Sequence, residues 1–316
     1  MKEKLKIGIA GIGGISNAHI PAWLAIENIE LIALCDCRMD QMNRYQDFHC
    51  YTDFDEMLEK EQLEVVDICL PTYLHVAFSL KALEKGIHVI CEKPVSLDKN
   101  DIGILYAAAK RNHAKFMVAQ CVRFWPEYQV IKELFETKKY GNLVSGSMDR
   151  LGTYPDASSR NWFCDEKLSG LVPYDLHIHD IDFMVDAFGV PDKIHSFRQK
   201  MQNQDHIHVV YEYDGFVIAA DTAWYAADYA FHCGFRFQFE NAVAEYEHGK
   251  LTVYLKNHEK YYPLETTEGT VSGYIPDSDA YRNEIQYFTN CVLNDQEPDR
   301  IKQEQLEAVI DILNRL

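Results

Sequence analysis

The chain has 316 residues, 25% of them charged, and a formal net charge of -18, a length that points to about two domains with ample core. So large an acidic excess argues against nucleic acid as a partner, since phosphate backbones are gripped by clustered Lys and Arg, and against anionic membrane surfaces. No apolar run is long enough to span a bilayer, no charged-then-apolar leader pattern opens the chain, and the nine cysteines show no CxxC spacing, which reads as reduced thiols in a cytoplasmic protein with no metal site.

The first stretch carries the strongest pattern. Leu5-Lys6-Ile7-Gly8-Ile9-Ala10 is an apolar strand, Gly11-Ile12-Gly13-Gly14-Ile15-Ser16 a glycine turn, residues 17–27 a helix, and Leu31-Ile32-Ala33-Leu34-Cys35-Asp36 a second strand ending on a carboxylate. In that context a glycine pattern means dinucleotide binding. Gly11 permits the tight turn and Gly13 lets the backbone approach a pyrophosphate. Gly14 and Ile15 lead into the helix N-terminus, whose N–H groups favour an anion. Ser16 stands at the third glycine position and is small enough to keep helix and strand close. Asp36 suits the adenosine ribose hydroxyls and repels a 2′-phosphate, favouring NAD over NADP. Arg38 is near enough to stack on adenine or pair with a phosphate, which leaves NADP open. The alternative is a glycine loop with only a structural role.

Helices predicted at residues 54–60, 76–84 and 98–112, the last opened by Asp98 as N-cap, alternate with unpatterned apolar strands at 64–70, 87–91 and 115–119. Such alternation indicates a parallel sheet covered on both faces, with ligands bound beyond the strands' carboxyl ends. The loops there are Pro71-Thr72-Tyr73-Leu74-His75, Glu92-Lys93-Pro94 and the run Gln120 to Pro126. From Arg123 the texture changes: a helix at 127–137, a strand at 141–150, a loop, a helix at 174–188, then alternating strands at 193–201, 206–213, 216–225 and 231–239 with shorter pieces to 262. Asp214-Gly215 reads as a hairpin turn in an antiparallel sheet. Helices at 279–293 and 301–316 close the chain, and Leu306, Val309, Ile310 and Leu313 form a stripe read as core. The division is therefore an α/β dinucleotide-binding domain, residues 1–122, and an α+β domain, residues 123–316.

Two clusters have the makings of chemistry. Lys93 follows a buried strand and precedes a proline that pushes it out of helical geometry; its ammonium there suits a substrate oxygen that gains negative charge as hydride leaves, although an ordinary solvated lysine fits the same position. In Tyr174-Asp175-Leu176-His177-Ile178-His179-Asp180-Ile181-Asp182, helical spacing puts Asp175 on one face with His179 and with Asp182. A carboxylate one turn from a histidine sets its orientation for proton exchange. An acid-rich helix start, or a metal held by His177, His179 and Asp182, are the competing readings. His75, Gln120 and Arg123 either touch a cofactor or bond within their loops, and Arg160, Asn161 and Trp162 are candidates for a substrate wall.

These residues together resemble the glucose-fructose oxidoreductase and inositol dehydrogenase (Gfo/Idh/MocA) family: Gly11 to Ser16, Asp36, Pro71-Thr72 with His75, Glu92-Lys93-Pro94, Arg123-Phe124 with Pro126, and Asp175-x-x-x-His179-x-x-Asp182. The resemblance implies a Rossmann domain, then a domain with a large, mostly antiparallel open-faced sheet used for homodimer or homotetramer contacts. It implies a catalytic trio of Lys93, Asp175 and His179, and Arg123 and Trp162 are the further candidates beside the substrate. The cofactor positions are Gly11, Gly13, Gly14, Ile15, Asp36, Arg38, Pro71, Thr72, His75, Glu92, Lys93 and Gln120. It further implies a cis Lys-Pro bond and hydride transfer between NAD(P) and a sugar, inositol or polyol. A glycosidase that uses NAD for transient oxidation and a non-catalytic NAD-binding regulator are the alternatives on the same fold.

Overall fold

The computed structural model describes residues 4–155, 161–264, 270–272, 275–276 and 280–316. The chain divides into two compact units, Met1–Cys121 with Asp279–Glu307, and Val122–Ser278 with Ala308–Leu316. The sequence reading assigned everything after residue 122 to the second domain, whereas Asp279–Glu307 joins the first unit. The helix Ala280–Leu293 packs against Ser16–Leu24, Tyr281 lying 5.9 Å from the His19 ring, and Ala280, Tyr281, Ile285 and Phe288 are buried.

In the first unit β1 (Leu5–Ala10), α1 (Ser16–Leu24), β2 (Ile29–Cys35), α2 (Met39–Met42), β3 (His49–Tyr51), α3 (Phe54–Lys60), β4 (Val65–Ile68), α4 (Thr72–Glu84), β5 (His88–Glu92), α5 (Lys99–Arg111) and β6 (Phe116–Ala119) follow in chain order. The strands form one sheet, β3-β2-β1-β4-β5-β6, with every neighbouring pair parallel. The order reverses between β1 and β4, where doubly wound sheets open a crevice beyond the strand ends. Strands β4 and β6 are buried at every position, as apolar runs without alternation require when both faces are covered. Asp98 does cap α5, its side chain accepting the Asn100 N–H. Pro21 lies inside α1, which closes at Leu24, short of the predicted end.

The second unit contains α6 (Pro126–Thr137), β7 (Leu143–Thr153), α7 (Glu166–Ser169), α8 (Ile178–Phe188), β8 (Lys193–Met201), β9 (Gln204–Tyr213), β10 (Phe216–Tyr225), β11 (His232–Phe239), β12 (Val243–Glu247), β13 (Lys250–Tyr254) and β14 (Lys260–Tyr261). Its sheet runs β14-β13-β12-β11-β7-β10-β9-β8 and is antiparallel except for the β7–β10 pair. The hairpin read at Asp214-Gly215 joins β9 to β10, with Phe216 opposite Tyr213 and Gly215 at φ +88°. One sheet face is buried beneath α6 and α8, where Tyr128 meets Phe183 and Phe235 edge-on at 4.9 and 5.0 Å between ring centres. The other face leaves Phe197, Val210 and Val217 exposed. Two short strands, β15 (Thr270–Ser272) and β16 (Ile275–Pro276), precede α9 (Ala280–Leu293) and α10 (Gln303–Leu313). Leu306, Val309, Ile310 and Leu313 of α10 are buried, as core should be. Among the described residues no helix is long and apolar enough to cross a membrane.

Candidate active site

The glycine turn leaves β1 at the switch point. Gly11 has φ +97°, and a Cβ there would lie 2.4 Å from the Cys69 carbonyl oxygen, so only glycine lets the turn rest against the end of β4. At Gly13 and Gly14 a Cβ would meet nothing within 4 Å; packing inside the chain does not demand glycine at either. Ser16 is buried at the start of α1, its hydroxyl donating to the Gly13 carbonyl at 2.7 Å. Ile15 is the N-cap residue, and the turn closes onto α1 through the Asn17 N–H to the Gly14 carbonyl at 3.1 Å and the Ala18 N–H to the Ile15 carbonyl at 2.9 Å. Asp36, just past β2, accepts the Ile12 N–H on Oδ2 at 2.9 Å and the Arg38 N–H on Oδ1 at 2.8 Å. The carboxylate thus holds the turn and keeps further acceptor capacity for hydroxyl donors. Arg38 Nε stands 3.9 Å from the same carboxylate.

Lys93 follows β5 directly, and its bond to Pro94 is cis. Glu92 and His75, both expected at a cofactor, are engaged within the chain. Glu92 is buried, with Oε1 3.0 Å from His19 Nε2 and Oε2 accepting the Lys93 N–H at 3.1 Å. His75 is buried with its ring nitrogens 2.6 Å from the Leu70 carbonyl and 2.8 Å from the Pro94 carbonyl, so it pins two strand-end loops together. Burial pushes the His75 pKa down. Pro71 is the N-cap of α4 and Thr72 is buried beside it. Gln120, at the end of β6, is buried with Oε1 lacking a hydrogen-bond partner among the described residues. An orphaned amide oxygen costs about 1–3 kcal/mol, which a donor from a ligand would recover. Open space above Gly13 and Gly14, the Asp36 carboxylate and the Gln120 oxygen all lie at strand ends of one sheet, an arrangement that fits a dinucleotide.

In the second unit, Pro173–His177 forms a π-helical turn that runs into α8, a distortion found mostly at functional sites. Between Leu171 and Val185 every residue is buried except Asp175 and His179, which are half-buried. Asp182, read as sharing their face, instead lies at 0% exposure with both its oxygens held by Arg123, from Nη2 at 2.7 Å and Nε at 2.8 Å. Arg123, expected at the substrate, is therefore a buried strut, and Asp186 lies 3.4 Å from its Nη1. The slower winding of the π turn shifts the register on which the seven-residue spacing relied. His177 is likewise internal: Nε2 stands 2.6 Å from the Tyr211 hydroxyl and Nδ1 3.0 Å from the Thr222 hydroxyl. Asp180 accepts Arg150 Nη2 at 2.9 Å, and Arg150 also donates to the Tyr128 hydroxyl at 3.0 Å. Burial alone would raise the Asp180 carboxyl, but Arg150 and His177 hold it below the usual carboxylate range. These buried polar pairs fix the segment so that Asp175 and His179 alone reach outward. Trp162 stands in a short turn, Asn161–Cys164, edge-on to Phe163 at 4.5 Å; Arg160 lies outside the described residues.

Sequence reasoning missed His19, Asp67 and Arg150, because a lone histidine in a helix and isolated charges in strands carry no spacing pattern. The family model described as "Oxidoreductase family, NAD-binding Rossmann fold" matches residues 5–120, and the GFO/IDH/MocA C-terminal domain matches residues 128–245. Oxidoreductase P35 of Formosa agariphila is 29% identical over 204 residues, 61% of this chain and 64% of that protein. D-apiose dehydrogenase of Paraburkholderia graminis is 27% identical over 191 residues, 59% of this chain and 50% of that protein. The match thus spans about half to two-thirds of the length of these curated relatives. Among solved structures, levoglucosan dehydrogenase in complex with NADH and levoglucosan is similar over 99% of this chain and 96% of that one, with a TM-score of 0.80 at 18% identity, a likeness of fold. With residues 5–120 and 128–245 matched by its two models, the chain belongs to the GFO/IDH/MocA oxidoreductase family.

Proposed function

We propose that the protein is an NAD(H)-dependent oxidoreductase moving a hydride between the nicotinamide and a hydroxyl-bearing or ketone carbon of a sugar, inositol or related polyol. The observation that carries this reading is Lys93, one residue past β5 at the carboxyl edge of the sheet that also holds the glycine turn. The dinucleotide, when bound, supplies the hydride acceptor or donor. Gly13, Gly14 and Ile15 hold its pyrophosphate, Asp36 its adenosine ribose, and Gln120 Oε1 takes a donor from it. The Asp36 charge favours NAD, and Arg38 sets how far NADP is tolerated.

The Lys93 ammonium donates to the reacting oxygen and stabilises the negative charge that grows there as the C–H bond breaks. His179 takes the hydroxyl proton in oxidation and returns it in reduction; Asp175 orients the substrate and the imidazole. D-apiose dehydrogenase among the relatives and levoglucosan dehydrogenase among the fold neighbours support the sugar class. The exposed face of the eight-stranded sheet has a hollow of about 510 Å³ lined in part by Phe197 and Val210, which supports a homodimer or homotetramer built across it. None of the nine cysteines forms a disulfide, which supports a cytoplasmic setting.

The test is Lys93→Ala, assayed by reduced-cofactor absorbance on a panel of sugars and polyols with NAD and with NADP. Turnover is expected to vanish while NAD affinity holds, and a variant that still turns over rejects the assignment.

A further inference from the structure

The first unit buries a charged cluster that no step above uses. His19 of α1 has no exposed surface; its Nδ1 lies 2.8 Å from Asp67 Oδ2 on β4 and its Nε2 3.0 Å from Glu92 Oε1 on β5. Trp23 Nε1 donates to the same Asp67 oxygen at 2.7 Å. Cys69 Sγ stands 3.4 Å from Asp67 Oδ1 and 3.5 Å from His19 Nδ1, and the Tyr281 ring of α9 lies 5.9 Å from the imidazole. With a carboxylate on each ring nitrogen, only the imidazolium places a hydrogen in both contacts. Burial by itself would push the His19 pKa down, but the Asp67 carboxylate beside it lifts it well above the ordinary value.

Stability alone is a weak reason for such a cluster, because buried ionic groups are often replaced by apolar ones at no loss. Its position gives a stronger one. Glu92 uses one oxygen on His19 and the other to accept the Lys93 N–H at 3.1 Å. We propose that His19 is a positioning residue for Lys93: clamped between Asp67 and Glu92, it fixes the carboxylate that holds the Lys93 backbone and sets the charge beside the lysine. This rests on the reading of Lys93 as catalytic. The groups facing His19 are Asp67 and Cys69 at the end of β4, Glu92 on β5, Trp23 on its own helix and Tyr281 on α9. Burial pushes the Cys69 thiol and the Tyr281 hydroxyl upward, so both stay neutral. The charge therefore turns on His19 and the two carboxyl groups.

The experiment labels the full-length protein with 1-fluoro-2,4-dinitrobenzene across a range of pH and reads Lys93 modification by peptide mass spectrometry. It compares the parent with His19→Gln and Glu92→Gln, each also checked for NAD affinity and unfolding midpoint. Removing the imidazolium is expected to move the Lys93 labelling profile to higher pH, and neutralising Glu92 to move it to lower pH. Shifts in the same direction, or no shift in either folded variant, overturn the proposal. Should His19→Gln fail to fold, Glu92→Gln decides alone: a shift to lower pH supports the coupling and an unmoved profile defeats it. Labelling is read without turnover, so a Lys93→Ala variant that remains active would defeat the catalytic reading and leave this measurement intact.

Discussion

Alanine at Gly11 and alanine at Gly13 should separate what the glycine turn does for the fold from what it does for a ligand. At Gly11 the backbone has φ +97°, and an added Cβ would lie 2.4 Å from the Cys69 carbonyl oxygen and 2.6 Å from its carbon. Left-handed backbone costs a residue with a side chain about 1–2 kcal/mol. Forcing the exit of β1 off the main chain of β4 adds an overpacking cost of about 1–3 kcal/mol, and main chain has no rotamer through which to yield. Gly11→Ala is therefore expected to lose about 2–5 kcal/mol of stability. At Gly13 an added Cβ meets no atom within 4 Å. Gly13→Ala should stay within about 0.5 kcal/mol of the parent, yet bind NAD about tenfold more weakly because the methyl group would stand in the proposed path of the pyrophosphate. Urea unfolding followed by tryptophan fluorescence measures the first quantity, and calorimetric titration with NAD the second. Equal destabilisation by the two variants, or parent-like NAD affinity in Gly13→Ala, would refute the reasoning.

Arg150→Met strands Asp180 without its guanidinium, both side chains being almost fully buried, and should cost about 3–5 kcal/mol in a denaturant melt. Adding Asp180→Leu should recover much of that loss, and a double variant no better than the single one would contradict the pairing. His19 has a folded pKa raised above its unfolded value, so its stabilisation is full below about pH 6.5 and fades as pH climbs through the raised folded value. The stability difference between parent and His19→Gln should therefore shrink from neutral to alkaline pH; a gap that widens upward would reverse the assignment. With Asp36 as the proposed ribose partner, Asp36→Ala should shift the NADP-to-NAD ratio of kcat/KM upward by about tenfold. An unchanged ratio would move cofactor choice to other residues.

The first unit was legible because its strands are buried on both faces and therefore read as apolar runs, and because the Asp98 cap obeys a local rule that needs no distant partner. The Asp175 and His179 spacing likewise picked out the two side chains of that segment that reach outward. What escaped depends on partners distant along the chain. Asp182 looked like a site carboxylate until Arg123, 59 positions away, claimed it. His19 looked like any helical histidine, its partners Asp67 and Glu92 lying 48 and 73 positions on. The π turn at Pro173–His177 keeps the composition of an ordinary helix start. The edge strand β3 is three residues long, His49–Tyr51, too short to show a pattern.

The return of α9 to the first unit bears on how the molecule is made. A ribosome that has released only residues 1–121 has delivered every strand of the parallel sheet but not Tyr281, the ring that covers His19. Nascent chains must then carry an unfinished nucleotide-binding half through synthesis of residues 122–278. A fragment cut at residue 121 should expose apolar surface and bind hydrophobic dyes or chaperones, whereas one that keeps Asp279–Glu307 by circular permutation should not.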